Sequence, residues 1–397
     1  MTGPAQAMAS FRHRFLETRS LLVHRDEEAL RAERRAAWSG RCEVRRHGKV
    51  FGPIQEWDFE LAYLNLAHDM ELPVRLYATK ARLSIPQLRQ YSRRACILAD
   101  VTIETNHETV PTLVDSRTAW PVGSFRTTLW DNEILAAVDR GANVTVERAW
   151  FYRKHPVLRG WARWLLDELA KPPGVRDELI ALMHKNWARA LVGRFGLRYP
   201  QWSQAATLPY SEVEYVPFYD IDTGEEGAYL QAGNQLLERC GLSESANSMP
   251  AIMGYIMAGA RIRLLEAIEA AGENHVLYLD TDALLVDRIG GDNLAAWSDT
   301  EAGRGLRLKS SYATATFKAP RAVKIGGEVR VAGMPKGAVR SGKDKYDVTI
   351  WEGMSQSLRM RRPGEVRLRN RSFELKAPDR RRIHLANGQT KPLTLSL

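Results

Sequence analysis

Cysteine is scarce. Three thiols in 397 residues, Cys42, Cys96 and Cys240, are too few and too scattered for a disulfide scaffold or a C-x-x-C ligand pair. Long apolar runs are missing as well. The longest, residues 251–260, stops at Arg261, short of the roughly 18 residues that a membrane span needs, and the first eleven residues lack a secretory apolar core. These absences exclude an anchor and an export signal and point to a reduced, cytoplasmic protein with no membrane partner. No repeat and no low-complexity segment interrupts the chain. Hydrophobic residues make up 44% of it, which excludes disorder. At roughly 100–200 residues per domain, the length allows two or three lobes.

Charge is present but uneven. Residues 301–397 hold 22 Lys+Arg against 8 Asp+Glu, a surplus of 14, while the whole chain carries +10, so the first 300 residues are net negative by 4. A basic C-terminal segment suits a polyanion partner. Arg359, Arg361, Arg362, Arg367, Arg369 and Arg371 recur there in one strand-like stretch, although a solvated basic surface accounts for the charge equally well.

Patterning sets out the elements. The Arg-rich first fifty residues, with a helical run at 26–38, read as an entry arm. A strand at 50–57 ends at Asp58, and a short helix at 63–70 must stop before Pro73. Residues 74–150 read as short strands mixed with turns, including the corner Trp120-Pro121-Val122-Gly123. Apolar residues at helical spacing mark a helix at 175–194. Hairpin material surrounds Asp222-Thr223-Gly224, and Ser248 and Pro250 form an N-cap and first-turn pair for a long helix that Gly272 ends.

The most informative local pattern is Tyr278-Leu279-Asp280-Thr281-Asp282-Ala283-Leu284-Leu285-Val286, two apolar strands joined by a turn with two carboxylates. Adjacent carboxylates repel unless a cation or proton lies between them, and hard divalent cations take oxygen ligands. An acidic turn is also a common solvated feature. Asp58 follows an apolar strand too; if the two strands are neighbours, Asp58 and Asp282 can share a pair of metal ions suited to phosphoryl transfer. Lys185, with Arg189 one turn further along the same helix face, would then meet a triphosphate, where the plain alternative is a solvated lysine.

Order and spacing carry a resemblance. Asp58-x-x-Leu61-Ala62-Tyr63, then Lys185-x-x-x-Arg189-Ala190-Leu191-Val192-Gly193-Arg194-Phe195-Gly196, then Tyr278-Leu279-Asp280-Thr281-Asp282 resemble motifs A, B and C of family B DNA polymerases. The nearest look is to the phage and linear-plasmid branch that primes from a terminal protein, because Pro121-Val122-Gly123-Ser124-Phe125 with Glu133 is similar to its insertion between motifs A and B. Ala332-Gly333-Met334 after Arg321 is similar to its segment beyond motif C. The likeness spans about residues 40–340.

That resemblance implies an α+β fold of right-hand architecture, with an antiparallel palm sheet, helical fingers and a small basic thumb. The implied partition is an N-terminal basic arm at 1–40, palm at 41–75, an insertion at 76–150, fingers at 151–198, palm with a hairpin insertion at 199–335, and thumb at 336–397. Asp58 and Asp282 would bind two Mg²⁺ ions, or Mn²⁺ in their place, with Asp280 as an accessory ligand and Phe59 completing the metal set. Lys185 and Arg189 would hold the incoming dNTP. Backbone N–H groups of Leu61 and Ala62 would meet its phosphates, and Tyr63 would lie under the sugar and exclude a 2′-hydroxyl. Primer-template DNA would be met by Gly193, Arg194, Arg321 and Lys324, with Arg321 gripping the primer end, and by Arg359, Arg361, Arg362, Arg367 and Arg369 in the thumb.

The chain departs from the pattern at Leu61 for Ser in motif A, at Arg189 for Asn, Ala190 for Ser and Val192 for Tyr in motif B, and at Ala283 for Ser in motif C. These changes bear on how the nascent base pair is checked. Only 57 residues precede Asp58, too few for the family's exonuclease domain, so the chain is expected not to proofread and to depend on a separate exonuclease or dispense with editing. A priming protein is a further expected partner, and the host cytoplasm the location if a phage or plasmid encodes the chain. Two other patterns resolve as decoys. Gly337-x-x-x-x-Gly342-Lys343 is followed by Asp344 rather than Ser or Thr and reads as a basic loop. Asp220-x-Asp222 lacks the later ligands of a calcium loop and reads as a hairpin turn. The functional expectation is a template-directed DNA polymerase; its rivals are a degenerate palm that binds DNA as a replication accessory and a template-independent nucleotidyltransferase.

Overall fold

The computed structural model describes residues 3–16, 24–172, 174–175, 177–219, 221, 226–245, 247–335, 337–342, 344–353, 356–357, 360, 365–375 and 380–397. Residues 50–57, read as a strand, lie within β2 (Gly48–Phe59), whose last residues alternate between two faces. Trp57 and Phe59 enter an apolar core, so Glu56 and Asp58 are carried to the opposite side. Around β2 the sheet runs in the order β1 (Arg41–Val44), β11 (Val276–Thr281), β12 (Ala283–Val286), β2, β13 (Leu306–Ala319), β14 (Ala322–Ile325), β15 (Glu328–Val331). Pairing is antiparallel from β1 through to β14.

Helices α8 (Pro250–Ala271) and α9 (Arg288–Ser298) cover the Trp57 face through Leu264, Ile268 and Leu294. The expected N-cap moves by one residue. Met249 caps α8 without a side-chain bond, and its N–H donates to the Phe195 carbonyl at 2.8 Å, so docking to a neighbouring helix sets the entry in place of the buried Ser248 hydroxyl.

Residues 74–150 give long strands where short ones were expected. β3 (Leu72–Leu83), β4 (Ala95–Thr105), β7 (Val122–Trp130) and β8 (Asn143–His155) form a five-stranded sheet in the order β21-β7-β4-β8-β3, with β21 (Thr394–Leu395) parallel to β7. The polar residues that broke the strand pattern, such as Arg75 and Lys80, are exposed along the edge strand β3. Helices α4 (Ile85–Ser92) and α5 (Asp131–Asp139) pack on this sheet, and β5 (Thr112–Val114) pairs with β6 (Arg117–Ala119). Gly123, in the predicted corner, has φ +93°, and a Cβ there would meet the Leu395 carbonyl. Only glycine lets the C-terminal strand pass.

The N-terminal residues are not an arm. Ala7, Met8 and Phe11 of α1 (Gly3–Arg14) and Ala29 and Ala32 of α2 (Glu27–Arg35) are buried in one core with α3 (Ala62–Asp69), α6 (Arg159–Ala170), α7 (Glu178–Phe195) and α8. Phe11 meets Phe195 edge-on at 6.1 Å. The arginines that suggested an arm hid a narrow stripe of small and apolar residues at helical spacing.

Two compact units divide the chain. The first holds Met1–Gly196, Asn247–Arg330 and Lys376–Leu397, the second Leu197–Ala246 and Val331–Leu375. The second is built from a long hairpin, β9 (Arg198–Tyr219) with β10 (Glu226–Glu244), and a three-stranded sheet of β16 (Val339–Arg340), β17 (Lys345–Trp351) and β18 (Leu368–Glu374). The hairpin turn residues Asp220, Asp222 and Gly224 lie outside the described residues. The segment read as a basic loop contains β16, with Ser341 N–H donating to the Lys345 carbonyl at 3.0 Å; Lys343 lies outside the described residues. The basic C-terminal segment is thus split, because β19 (Arg382–His384), β20 (Thr390–Pro392) and β21 belong to the first unit. Among the described residues no helix is long and apolar enough to cross a membrane.

Candidate active site

Ala283 is the hinge of the acidic site. It pairs with Asp58 on β2 and with Asp280 on β11, and paired residues share a face with neighbouring strands about 4.8 Å apart. Two carboxylates therefore flank a methyl group. Thr281, the last residue of β11, and Asp282 form the two-residue turn that joins the paired Asp280 and Ala283, which calls for positive φ at its first position; Thr281 takes φ 68°. The Phe59 N–H donates to the Asp282 carbonyl at 3.0 Å and ties this loop to β2. Leu61 (φ 51°) and Arg321 (φ 56°) are also left-handed. Of six such non-glycine residues among those described, three border the acids, and backbone strain of about 1–3 kcal/mol each persists where the surroundings enforce it.

Sequence reasoning missed Glu56, Lys309, Tyr312 and Arg330. Glu56 is buried, accepts from Arg330 at 3.0 and 3.2 Å and from Tyr312 Oη at 2.6 Å, and lies 3.1 Å from Lys309 Nζ. Lys309 Nζ is also 3.4 Å from Asp58 Oδ2. Its register explains this reach: Leu308 pairs with Trp57 and Ser310 with Glu56, so Lys309 is the extra residue of a bulge, a device that re-aims a side chain. The signal for Glu56 was available in the sequence, because it stands two residues before Asp58 and shares its strand face.

The carboxylates differ in charge balance. Burial raises Glu56, but Arg330, Tyr312 and Lys309 together bring it below the usual range. Burial also raises Asp58, although Lys309 pulls the other way. Asp282 is pushed up to about 6, by burial first and then by the negative charges of Asp58 and Asp280. Negative charge at Asp58 and Asp282 is thus only partly offset. A cavity of about 300 Å³ opens between Asp58, Asp280, Asp282, Lys309 and Arg330.

An all-oxygen donor set suits Mg²⁺, which binds through one or two carboxylates together with substrate phosphates. Asp58 and Asp282 fit that description. Among the described residues no group of three or more His, Cys, Asp and Glu gathers to hold an ion; Asp280 faces Arg321, Nε to Oδ1 3.6 Å. Phe59 has its ring buried edge-on against Trp297, which leaves its main-chain oxygen as its one hard donor.

Tyr63, in the first turn of α3, is half-buried, and burial followed by the Asp282 charge raises its phenol far above the ordinary range. Leu61 caps α3 and Ala62 opens it, where the first N–H groups lack a partner within the helix. On α7, exposed Lys185 and Arg189 share a face. Arg189 is close enough for its charge to pull the Asp58 carboxyl downward, and Lys185 has no ion pair among the described residues. Exposed Gly193 and half-buried Arg194 occupy the last turns of α7.

Arg321 stands in the turn between β13 and β14, where its N–H donates to Tyr278 Oη at 2.9 Å. Lys324, exposed on β14, alternates with Val323 and Ile325, which line the acidic cavity, so it lies on the other face of the sheet. Arg367 precedes β18 and Arg369 lies on it, both exposed in the second unit. Arg359, Arg361 and Arg362 lie outside the described residues.

No protein-family model matches the sequence, and no curated protein matches it. Solved structures do. Phi29 DNA polymerase complexed with primer-template DNA and incoming nucleotide substrates is similar with a TM-score of 0.64 at 12% identity, over 95% of this chain and 68% of that one. The same polymerase complexed with single-stranded DNA gives 0.62 at 13% identity, over 95% and 67%, and its orthorhombic crystal form 0.62 at 12%, over 94% and 68%. At such identity the likeness is one of fold. The chain has a mixed α/β fold built on antiparallel sheets, similar to that of phi29 DNA polymerase.

Proposed function

We propose that the chain is a template-directed DNA polymerase of family B, of the protein-primed type. In this reading the seven-stranded sheet is the palm, α6 and α7 are the fingers, and the second unit supplies the hairpin insertion and the thumb. The observation that carries it is the pairing of Asp58 and Asp280 across Ala283 with Asp282 in the adjoining turn, on a fold shared with a polymerase.

A primer 3′-hydroxyl attacks the α-phosphate of a dNTP; the new P–O bond forms as the α–β bridge breaks and pyrophosphate leaves. Asp58 and Asp282 would hold Mg²⁺, with Asp280 and the Phe59 main-chain oxygen accessory. When bound, the cations supply Lewis-acid stabilisation of charge on the reacting oxygens. Lys185 and Arg189 bring positive charge to the triphosphate, and the α3 N-terminus at Leu61 and Ala62 offers N–H donors. Tyr63 packs under the deoxyribose and excludes a 2′-hydroxyl. Arg321, Gly193 and Arg194 meet primer-template DNA, and the thumb arginines add phosphate contacts, while Lys324, on the other face of the sheet, is left out of the DNA path.

A second reading, a degenerate palm that binds DNA without synthesis, draws support from the Lys309 ammonium beside Asp58 and the altered motif B. Primer extension with each dNTP in turn separates these. Addition dictated by the template base supports the polymerase, addition regardless of template points to a template-independent transferase, and DNA binding without addition points to the accessory. A mismatched 3′ end is expected to stay undegraded; degradation that persists in Asp58→Asn would reveal a separate nuclease site.

A further inference from the structure

A second charged surface, outside the acidic site, lies at the β3 edge of the five-stranded sheet. Arg75 on β3 pairs directly opposite Arg153 on β8, and like charges facing across an antiparallel pair destabilise it. The Arg153 guanidinium lies 5.7 Å from the Tyr77 ring, and Lys80 Nζ lies 4.6 Å from the Tyr91 ring and 3.3 Å from its hydroxyl. Both tyrosines meet Phe151 edge-on, at 6.3 and 5.6 Å, and Tyr77 is 50% exposed. Arg94 leads into β4, whose first residue, Ala95, pairs with Arg153.

Arg75, Lys80, Arg94 and Arg153 are exposed, and none has an ion pair among the described residues. Other arginines of the same sheet and its helices do find carboxylates, Arg148 at Glu28 and Arg89 at Asp139. Basic residues on an edge strand also discourage strand addition. That does not account for Arg153, on an inner strand, or for Arg94, in a turn.

We propose that this face binds a single-stranded polynucleotide, its phosphates against the Arg75 and Arg153 pair and a base stacked on Tyr77. From Arg75 to Lys80 the strand runs about 16 Å, too far for one small anion to satisfy. Exposed tyrosine beside arginine offers a ring face that an unpaired base can reach and a paired base cannot. The choice of polyanion rests on the polymerase reading.

The test uses the full chain and labelled oligo(dT), with affinity followed against salt. Arg75→Ala/Arg153→Ala removes two phosphate contacts, so the log–log salt slope should fall by about 1.4, and its melting temperature should hold or rise as the facing charges are removed. Tyr77→Leu should weaken binding about tenfold with the slope unchanged. First-nucleotide addition on a primer-template with a minimal overhang should stay at the wild-type level in both variants. Unchanged oligo(dT) affinity and slope would overturn the inference, as would an equal loss on blunt duplex. Failure of the polymerase reading shows separately, as wild-type protein that binds oligo(dT) but extends no primer.

Discussion

Two clusters of buried charge in the first unit contrast in how completely their carboxylates are neutralised. Near the C-terminal segment, Glu108 accepts from Arg41 at 2.5 Å, Arg45 at 3.0 Å and Arg382 at 2.6 and 3.0 Å, while Glu43 meets Arg41 at 2.8 Å and Arg382 at 3.2 Å. Burial raises Glu108, but Arg45, Arg41 and Arg382 bring it down to about 2. At the other cluster Asp282 is pushed up to about 6. In the first network three arginines hold both carboxylates and fasten Arg382 to β1; the second leaves negative charge unmatched. Buried carboxylates that are fully paired serve the fold, and carboxylates left open in a cavity are where a cationic ligand has a place to act.

The contrast breaks most visibly in catalysis. Asp58→Asn and Asp282→Asn should each cut primer extension by at least about 10²–10³-fold, with DNA affinity within about twofold because basic phosphate contacts dominate binding. Asp280→Asn should lose less. Extension retained in both of the first two variants would remove the assignment.

Glu108→Gln acts on the first network and leaves buried guanidinium groups without their counter-charge. A loss of about 3–5 kcal/mol is expected, read as a lower denaturant midpoint, with extension near normal below the transition. Because the folded carboxyl lies below its unfolded value of 4.5, its contribution is full above that pH and fades as pH falls toward 2. In Glu108→Gln that acid-side loss should be smaller.

At Asp282 the sign reverses. Its folded value exceeds the unfolded 3.8, so charge there costs stability progressively as pH rises from about 4 to about 6 and fully above it. Asp282→Asn should therefore stabilise the protein in EDTA at pH 8, by at most about 3 kcal/mol. No gain would mean that the negative charge is compensated after all.

Tyr63→Ala tests whether the open cluster faces a sugar. It should raise ribonucleotide incorporation relative to deoxyribonucleotide by about tenfold, since the loss of one steric contact is worth about 1–3 kcal/mol. An unchanged ratio in single-nucleotide competition would separate Tyr63 from the substrate.

What was legible in the sequence was local. The acidic hairpin and the strand that carries Asp58 follow from their apolar strand pattern and a tight turn, and α7 from apolar residues at helical spacing, although Leu179 and Leu182 among them are exposed and Ala181, Ala188 and Phe195 make its buried face. What was hidden depended on partners distant in the chain. Lys309 reaches Asp58 only because of a bulge against β2, and nothing local marks that register. The return of Thr394–Leu395 to β7 is a two-residue parallel pairing, too short to leave a pattern. The N-terminal helices were misread because a few buried residues, Ala7, Met8 and Phe11, sit among many arginines.

If Asp58 and Asp282 form the cation site, thermal melting with and without Mg²⁺ reads it out. Wild-type protein should gain about 2–3 kcal/mol at pH 8 when Mg²⁺ is about a hundredfold above its dissociation constant. The gain should shrink at pH 5, where Asp282 is protonated, and vanish in Asp58→Asn and Asp282→Asn. An equal Mg²⁺ gain in wild type and both variants would place the cation elsewhere and remove Asp58 and Asp282 as its ligands.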